Sequence, residues 1–296
     1  MAEGEVSSNM VHAAYSDTGR VREVNEDAYG SEEVGHGWLF VVADGMGGHQ
    51  SGDVASRLAV KSILEAFRNS TAIDPSRRLL ESLATGHERI MARQGGSTGR
   101  ARMGTTVVAL YVTPGVAHYA WVGDSRIYLV RDGQISAITR DHTVGRELVD
   151  RGMSTPAEVL ENPDAHKLSR ALGMDQQWEP ECAPNPLPTE PGDMLLMCSD
   201  GLYRMLPAGE SLSLLLANEP VEAAIRLVEL ANERGGKDNI TVQVVHVGSR
   251  EAAVEAAARE GYIGSLTTEL QALVTSDTLE GPPVTEKLGP GDTIRT

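Results

Sequence analysis

The sequence predicts an α+β protein whose sheets are mainly antiparallel. Short apolar runs typical of strands are separated by brief turns at Pro114-Gly115, Gly123-Asp124-Ser125 and Asp132-Gly133, which indicates an antiparallel meander. The predicted order of elements is a strand, helices, several strands, a helix and a final strand. This order favours a layered α+β protein over a βαβ repeat with a parallel sheet.

The individual elements follow from the spacing of apolar residues. Strands are predicted where short apolar runs are bounded by turn residues, over residues 38–43, 105–112, 116–122, 126–131, 135–139, 194–199 and 240–247. Helices are predicted where apolar residues recur at helical spacing, over residues 52–68, 76–93 and 220–233. Residues 142–167 are polar and irregular, and we expect one short helix there.

Charge and composition limit the class of protein. The chain has a formal net charge of −16, which argues against a nucleic-acid partner because phosphate backbones attract stripes of Lys and Arg. The acidity fits either simple solubility or carboxylates that are neutralised by bound cations. Two cysteines, Cys182 and Cys198, are too few for a disulfide framework or a zinc site and predict reduced thiols in the cytoplasm. No apolar run approaches the roughly 20 residues that a membrane span needs.

The C-terminal residues differ from the rest of the chain. We expect a helical extension over residues 249–276, from its helical apolar pattern, and a disordered tail over residues 277–296. The tail is rich in Gly, Pro and polar residues, which cannot bury enough apolar surface to fold.

Aspartates stand beside the predicted strands, and five are prominent: Asp27, Asp44, Asp124, Asp200 and Asp238. Buried carboxylates that lie close together repel each other unless a cation neutralises them. Oxygen ligands without a cluster of His or Cys indicate a hard ion such as Mg²⁺ or Mn²⁺. Each motif alone is also a common surface turn, so the prediction depends on their occurring together.

Eight short motifs follow one another in a fixed order. They are Arg22-Glu23-Val24-Asn25-Glu26-Asp27, Asp44-Gly45-Met46-Gly47-Gly48-His49, Met103-Gly104-Thr105-Thr106, Gly123-Asp124-Ser125-Arg126, Thr139-Arg140-Asp141-His142, Arg170-Ala171-Leu172-Gly173, Ser199-Asp200-Gly201-Leu202 and Gly236-Lys237-Asp238-Asn239. With them, roughly residues 10–248 resemble the PP2C family of metal-dependent protein phosphatases (the PPM group) in its bacterial form. The resemblance implies one domain over residues 10–248, preceded by an N-terminal extension over residues 1–9. The resemblance implies an α-β-β-α sandwich, in which two packed antiparallel sheets are flanked by helices on both sides.

The resemblance also implies a set of metal ligands. Asp27, Asp44, Asp200 and Asp238 would ligate two Mn²⁺ or Mg²⁺ ions. Asp44 would bridge the two ions, and Gly45 would offer its backbone carbonyl oxygen.

Two further acids have implied roles, and one position departs from the family. Glu26 would act through a metal-bound water, and Asp124 together with Asp200 would hold a third, weaker ion. Many family members have an aspartate at the position of Arg204. Because arginine cannot ligate a metal, this departure argues against the third ion more than against the first two.

Two residues beyond the metal ligands carry implied catalytic roles. Arg22 would grip the phosphate, since a guanidinium group can bind two phosphate oxygens at once; the alternative is a surface arginine. His49 is the candidate proton donor to the leaving oxygen, because Met46 occupies the position where animal members carry a histidine. The alternative for His49 is an exposed loop histidine. Residues 143–167 match a variable flap beside the active site.

The resemblance therefore implies a protein serine/threonine phosphatase. It would hydrolyse phosphoserine and phosphothreonine on proteins by direct attack of a hydroxide that bridges two ions, and it would oppose a bacterial Ser/Thr kinase. One alternative is a non-catalytic phosphoprotein-binding module of the same fold, which would normally have lost a metal aspartate. The other is a partner-switching phosphatase that acts on a small transcription regulator, although such proteins usually carry sensor domains.

Overall fold

A computed structural model of the protein describes residues 10–47, 51–95, 103–174 and 178–248, and these contain two antiparallel sheets packed face to face between helices. The expected α-β-β-α sandwich is confirmed. The extension over residues 1–9, the helical extension over residues 249–276 and the tail over residues 277–296 lie outside the described residues, so the four-segment division of the chain stays a prediction.

Strands and helices are numbered along the chain. The strands are β1 (Met10–Asp17), β2 (Asp27–Val34), β3 (Gly37–Met46), β4 (Gly104–Thr105), β5 (Val107–Thr113), β6 (Val116–Val122), β7 (Arg126–Arg131), β8 (Gln134–Ala137), β9 (Glu181–Cys182), β10 (Leu187–Pro188), β11 (Met194–Cys198) and β12 (Ile240–Val247). The helices are α1 (Ser51–Asn69), α2 (Pro75–Gly95), α3 (Val144–Asp150), α4 (Pro156–Glu161), α5 (Asp200–Tyr203), α6 (Ala208–Ala217) and α7 (Pro220–Glu233).

The two sheets are built from strands that are distant in sequence. The first sheet has the order β1-β12-β11-β7-β8, and the second has the order β10-β6-β5-β3-β2, with β4 paired to β3 and β9 paired to β6. Helices α6 and α7 cover the outer face of the first sheet, while α1 and α2 cover the outer face of the second.

The alternation of side chains along each strand fills three hydrophobic layers. In β3, Leu39 and Val41 pack towards α1 and α2, whereas Phe40 and Val42 point to the opposite sheet. Because successive side chains of a strand face opposite sides, a fully apolar strand supplies both a helix-facing layer and the layer between the sheets. The apolar runs that form β3, β5, β11 and β12 are therefore strands buried on both faces, whereas β8 is mostly exposed.

The prediction of one continuous meander was wrong at the turn Gly123-Asp124-Ser125. This turn leaves β6 in the second sheet and enters β7 in the first, so it connects two sheets and does not close a hairpin. Gly123 has a φ of +100°, and a Cβ atom placed there would lie 2.5 Å from Cγ2 of Thr106. The crossing therefore needs glycine for both its backbone conformation and its close approach.

Other differences are smaller. The segment 142–167 holds two short helices, α3 and α4, where one was expected, and both start at threonine caps. Helices α5 and α6 and the strands β1, β2, β9 and β10 were not predicted. Within the described residues, no helix is both long enough and apolar enough to cross a membrane.

Replacement of Gly123 by alanine tests the crossing between the sheets. We expect Gly123→Ala to lower the free energy of unfolding by about 2 kcal/mol or more, because the positive φ and the clash with Thr106 add together. Gly115 is the matched control, since it also has a positive φ of +81° but a Cβ atom placed there would have nothing within 4 Å. Gly115→Ala should cost only about 1 kcal/mol. Urea unfolding of both variants measures the difference, and equal losses would contradict the steric role of Gly123.

Candidate metal centre

An acidic cavity of about 250 Å³ lies where the two sheets meet. Five carboxylate side chains line it, from Glu26, Asp44, Asp124, Asp200 and Asp238. These acids are separated by up to 212 positions in the chain, and the fold alone brings them together.

Strand register explains this convergence. Asp124 lies in the crossing just before β7, Asp200 follows β11, and Asp238 precedes β12. Because β11 pairs with both β7 and β12, the ends of these three strands are adjacent, and so are the acids attached to them. From the other sheet, Asp27 and Asp44 are register partners across β2 and β3.

The backbone around Asp44 is held by two threonines of the Met103-Gly104-Thr105-Thr106 motif. The Asp44 carbonyl oxygen accepts hydrogen bonds from the Thr106 N–H at 2.9 Å and from the Thr105 hydroxyl at 2.9 Å. The Asp44 N–H donates to the Thr106 hydroxyl at 3.1 Å. Three hydrogen bonds therefore fix the main chain that carries the central carboxylate of the cavity.

Gly45 permits a close contact between three segments. Its N–H donates to the Glu26 carbonyl oxygen at 3.1 Å. A Cβ atom at Gly45 would lie 2.2 Å from the Gly52 carbonyl oxygen and 2.4 Å from that of Glu26, so no other residue fits. The Gly52 N–H in turn donates to Oε1 of Glu26 at 3.2 Å. Gly45 and Glu26 thus reach the cavity wall together.

Asp27 lies beside the cavity and is not one of its lining residues. Its carboxylate is buried, and Oδ2 accepts a hydrogen bond from the Ser199 hydroxyl at 2.7 Å. Its other oxygen, Oδ1, is buried without a hydrogen-bond partner, as is Oδ1 of Asp200. Buried carboxylate oxygens without a partner are costly, and a hard cation is the ligand that removes this cost.

Burial and crowding disfavour ionisation of these acids. Burial raises the pKa of Asp200 to about 7, with repulsion from Asp124 as the next cause. Burial raises the pKa of Asp27 to about 6, although the Ser199 hydrogen bond opposes the shift. Burial, followed by repulsion from Asp27 and Asp200, raises the pKa of Asp44 well above its usual range. Without a cation, the stability of the fold therefore falls as these groups ionise between about pH 4 and pH 7.

Two arginines supply positive charge at the cavity. Arg22 donates to Oδ2 of Asp238 at 2.8 Å, and its side chain is half exposed at the mouth. Arg204 contacts Oδ2 of Asp200 at 2.8 Å and Oδ2 of Asp124 at 3.3 Å. Within the described residues, no three His, Cys, Asp or Glu side chains already converge on one point as a ligand set.

The donor set fits divalent cations. It consists of carboxylate oxygens, the backbone of Gly45 and unpartnered oxygens on Asp27 and Asp200, with no thiolate and no imidazole pair among the described residues that line the cavity. Such all-oxygen sites suit Mg²⁺, Mn²⁺ or Ca²⁺ in preference to softer metals.

His49, the candidate proton donor, lies outside the described residues, so its role stays a prediction. His142 is buried, and its Nδ1 accepts the Gly123 N–H at 3.2 Å, which makes it a support for the crossing between the sheets. His166, at the end of the flap segment, lines the cavity with Leu168. Sequence reasoning missed the place of His166 at the cavity, since nothing in the polar segment 143–167 distinguishes one residue from its neighbours.

Asn239 joins the loop that carries Arg22 and Glu26 to the strand end that carries Asp238. Its buried side-chain amide donates to the carbonyl oxygens of Thr18 at 2.8 Å and Val24 at 3.0 Å. Its side-chain oxygen accepts the Glu26 N–H at 2.8 Å. Asn239 therefore satisfies both ends of the loop 18–26 and sets the position of the loop at the cavity.

The Asn239→Ala variant should loosen this loop. It leaves three backbone groups without partners, so we expect faster amide hydrogen exchange over residues 19–26 and a loss of about 2 kcal/mol or more in the free energy of unfolding. Asn218→Ala is the control, because it removes a single side-chain hydrogen bond, to the Leu214 carbonyl of α6. If amide hydrogens of residues 19–26 exchange no faster in Asn239→Ala than in Asn218→Ala, Asn239 does not hold the loop.

Comparisons with known proteins point to one family. The profile of the family described as Protein phosphatase 2C matches residues 19–228. The chain is 35% identical over 242 residues to the serine/threonine phosphatase stp of Listeria welshimeri, a match that covers 79% of this chain and 95% of that protein.

Solved structures give the same result. The serine/threonine phosphatase of S. agalactiae superposes with a TM-score of 0.74 at 32% identity, over 80% of this chain and 99% of that one. The catalytic domain of the serine/threonine protein phosphatase PstP, in complex with two manganese ions, has a TM-score of 0.70 at 36% identity, over 81% of this chain and 99% of that one. This chain belongs to the protein phosphatase 2C family.

Proposed function

We propose that this chain is a metal-dependent protein serine/threonine phosphatase that hydrolyses phosphoserine and phosphothreonine esters on other proteins. The observation that carries the proposal is the convergence of five carboxylates on one open cavity with a half-exposed arginine at its mouth. Carboxylates suit divalent cations, and the guanidinium group of Arg22 suits a phosphate. The cavity thus offers a place for both the ions and the phosphoryl group.

Two Mn²⁺ or Mg²⁺ ions would be held by Asp27, Asp44, Asp200 and Asp238, with the backbone carbonyl of Gly45. When bound, such a pair of ions activates a water as the nucleophile and offsets the charge of the phosphoryl oxygens. Support for two ions comes from the unpartnered oxygens of Asp27 and Asp200 and from the manganese pair in the PstP catalytic domain.

The side chains of this protein then position the reactants. Arg22 has donors beyond the one that reaches Asp238, and these would bind two phosphate oxygens. Glu26 is fixed by the Gly52 N–H and would accept a hydrogen bond from a water in the cavity. His49 is the proposed proton donor to the leaving serine or threonine oxygen, on the evidence of the sequence motif.

The third, weaker ion that was expected at Asp124 and Asp200 would have to compete with Arg204, which contacts both carboxylates. The non-catalytic alternative is disfavoured, because all the expected metal aspartates are present around the cavity. We place the enzyme in the cytoplasm opposite a Ser/Thr protein kinase. The free thiols of Cys182 and Cys198 suit a reducing compartment.

Neutral variants of two aspartates test the reaction. Asp44→Asn and Asp238→Asn should each lower kcat for a phosphothreonine peptide by at least about a hundredfold in Mn²⁺, because each removes a charged ligand while keeping the side-chain shape. Asp132→Asn is the matched control, since Asp132 lies in an exposed turn between β7 and β8. Full turnover by both cavity variants would refute the site, and a far-ultraviolet circular dichroism spectrum verifies that each variant is folded.

Arg22→Ala tests phosphate binding separately from metal binding. We expect KM for the peptide to rise about tenfold or more, while the Mn²⁺ concentration for half-maximal activity changes little. Arg22→Lys keeps one charge but loses the two-pronged geometry, so it should recover only part of the affinity. A large rise in the Mn²⁺ requirement with an unchanged KM would contradict this role.

A further inference from the structure

Arg204 is placed between two carboxylates of the cavity. Its Nη2 atom contacts Oδ2 of Asp200 at 2.8 Å and Oδ2 of Asp124 at 3.3 Å. Asp124 and Asp200 are both buried, whereas 39% of the Arg204 side chain is exposed. One guanidinium group thus serves two acids that would otherwise repel each other in a poorly solvated site.

Tyr203 also holds the carboxylate of Asp124 in place. The Tyr203 hydroxyl donates to Oδ2 of Asp124 at 3.2 Å. The guanidinium group of Arg126 stacks over the Tyr203 ring at 3.6 Å and holds Asp141 through two hydrogen bonds, of 2.9 and 2.7 Å. The oxygen of Asp124 that Arg204 uses is therefore fixed by a supported tyrosine, and the pairing is part of a built arrangement.

The two carboxylate oxygens of Asp200 differ in their contacts. Oδ2 is taken up by the guanidinium group, whereas Oδ1 is buried and has no hydrogen-bond partner. The contact thereby fixes the carboxylate and leaves a single oxygen for an ion. Asp238 differs, since both of its oxygens have donors: Oδ2 accepts from Arg22, and Oδ1 accepts the Asn239 N–H at 3.0 Å.

We propose that Arg204 is a built-in cation that neutralises Asp124 and orients Asp200, so that this protein binds two divalent ions and has no third ion between these acids. The proposal rests on the proposed two-ion site and adds a positioning residue to it.

Formal charges agree with this number of ions. Six carboxylates lie in or directly behind the cavity, from Glu26, Asp27, Asp44, Asp124, Asp200 and Asp238. Two guanidinium groups, from Arg22 and Arg204, face them. Six negative and two positive charges leave −4, which two divalent cations balance. Without Arg204, the remaining charge of −5 would favour a further cation beside Asp124.

Counting bound Mn²⁺ by equilibrium dialysis of the full-length protein tests the proposal directly. The wild type should bind two ions per chain up to millimolar Mn²⁺, and so should Arg204→Lys, which keeps a positive charge. Arg204→Ala and Arg204→Gln should bind a third, weaker ion, because Asp124 and Oδ2 of Asp200 lose the guanidinium group that pairs with them. The third ion should be lost again when Asp124→Asn is added to Arg204→Ala.

Arg131→Ala is the matched control for the loss of an arginine. Arg131 makes a comparable ion pair with the buried Asp193 at 2.6 Å and does not line the cavity. This variant should still bind two ions. Thermal unfolding in EDTA gives a second readout, since Arg204→Ala should lower Tm without metal and recover more than Arg131→Ala when Mn²⁺ is added.

The ion counts distinguish a failure of the Arg204 proposal from a failure of the proposed function. Three ions on the wild type, or two ions with unchanged affinities on both Arg204→Ala and Arg204→Gln, would overturn the role of Arg204. A wild type that binds fewer than two ions, or an Asp44→Asn variant that binds as many as the wild type, would contradict the proposed function instead. If one neutral variant does not fold, the count on the other still decides.

Discussion

The free-energy cost of keeping several carboxylates close together and poorly solvated is the constraint on which the rest of the structure depends. Burial raises the pKa values of Asp27 to about 6 and of Asp200 to about 7, and mutual repulsion adds to the effect. A fold that kept such groups for stability alone would be better served by apolar side chains. Their presence at a cavity is explained when cations occupy it, because each ion removes both the repulsion and the cost of desolvation.

The scaffold offsets part of this cost before any ion arrives. Arg22 and Arg204 each pair with acids of the cavity, and the Ser199 hydroxyl donates to Asp27. The backbone is held just as firmly, since Asn239 fixes the loop that carries Glu26 and two threonines fix Asp44. These contacts fix the backbone from which the ligands project before any metal binds, whereas the carboxylates of the described residues do not yet converge as a ligand set.

Much of this arrangement could be predicted from the sequence, for identifiable reasons. Strands such as β3 and β12 are apolar on both faces and are bounded by turn residues, so their positions were clear. The aspartates beside these strands, read with their motifs, indicated an oxygen-ligand site for hard cations. Alternation and turn chemistry are local properties, and local properties can be read from one sequence.

Features that depend on distant partners could not be predicted. The turn at Gly123 looks the same whether it closes a hairpin or crosses between sheets, and only the tertiary packing decides. Helix α6 was missed because its sequence AGESLSLLLA is apolar around much of its circumference and lacks a clear helical period. The pairing of Arg204 with Asp124 spans 80 positions, and the place of His166 at the cavity depends on how the flap folds back.

Anomalous scattering from crystals of the protein grown with Mn²⁺ tests the central claim most directly. The account predicts two anomalous peaks inside the cavity lined by Asp44, Asp200 and Asp238, with Arg204 still seated against Asp124. A map without peaks in this cavity, or with the aspartates turned away from the ions, would contradict it.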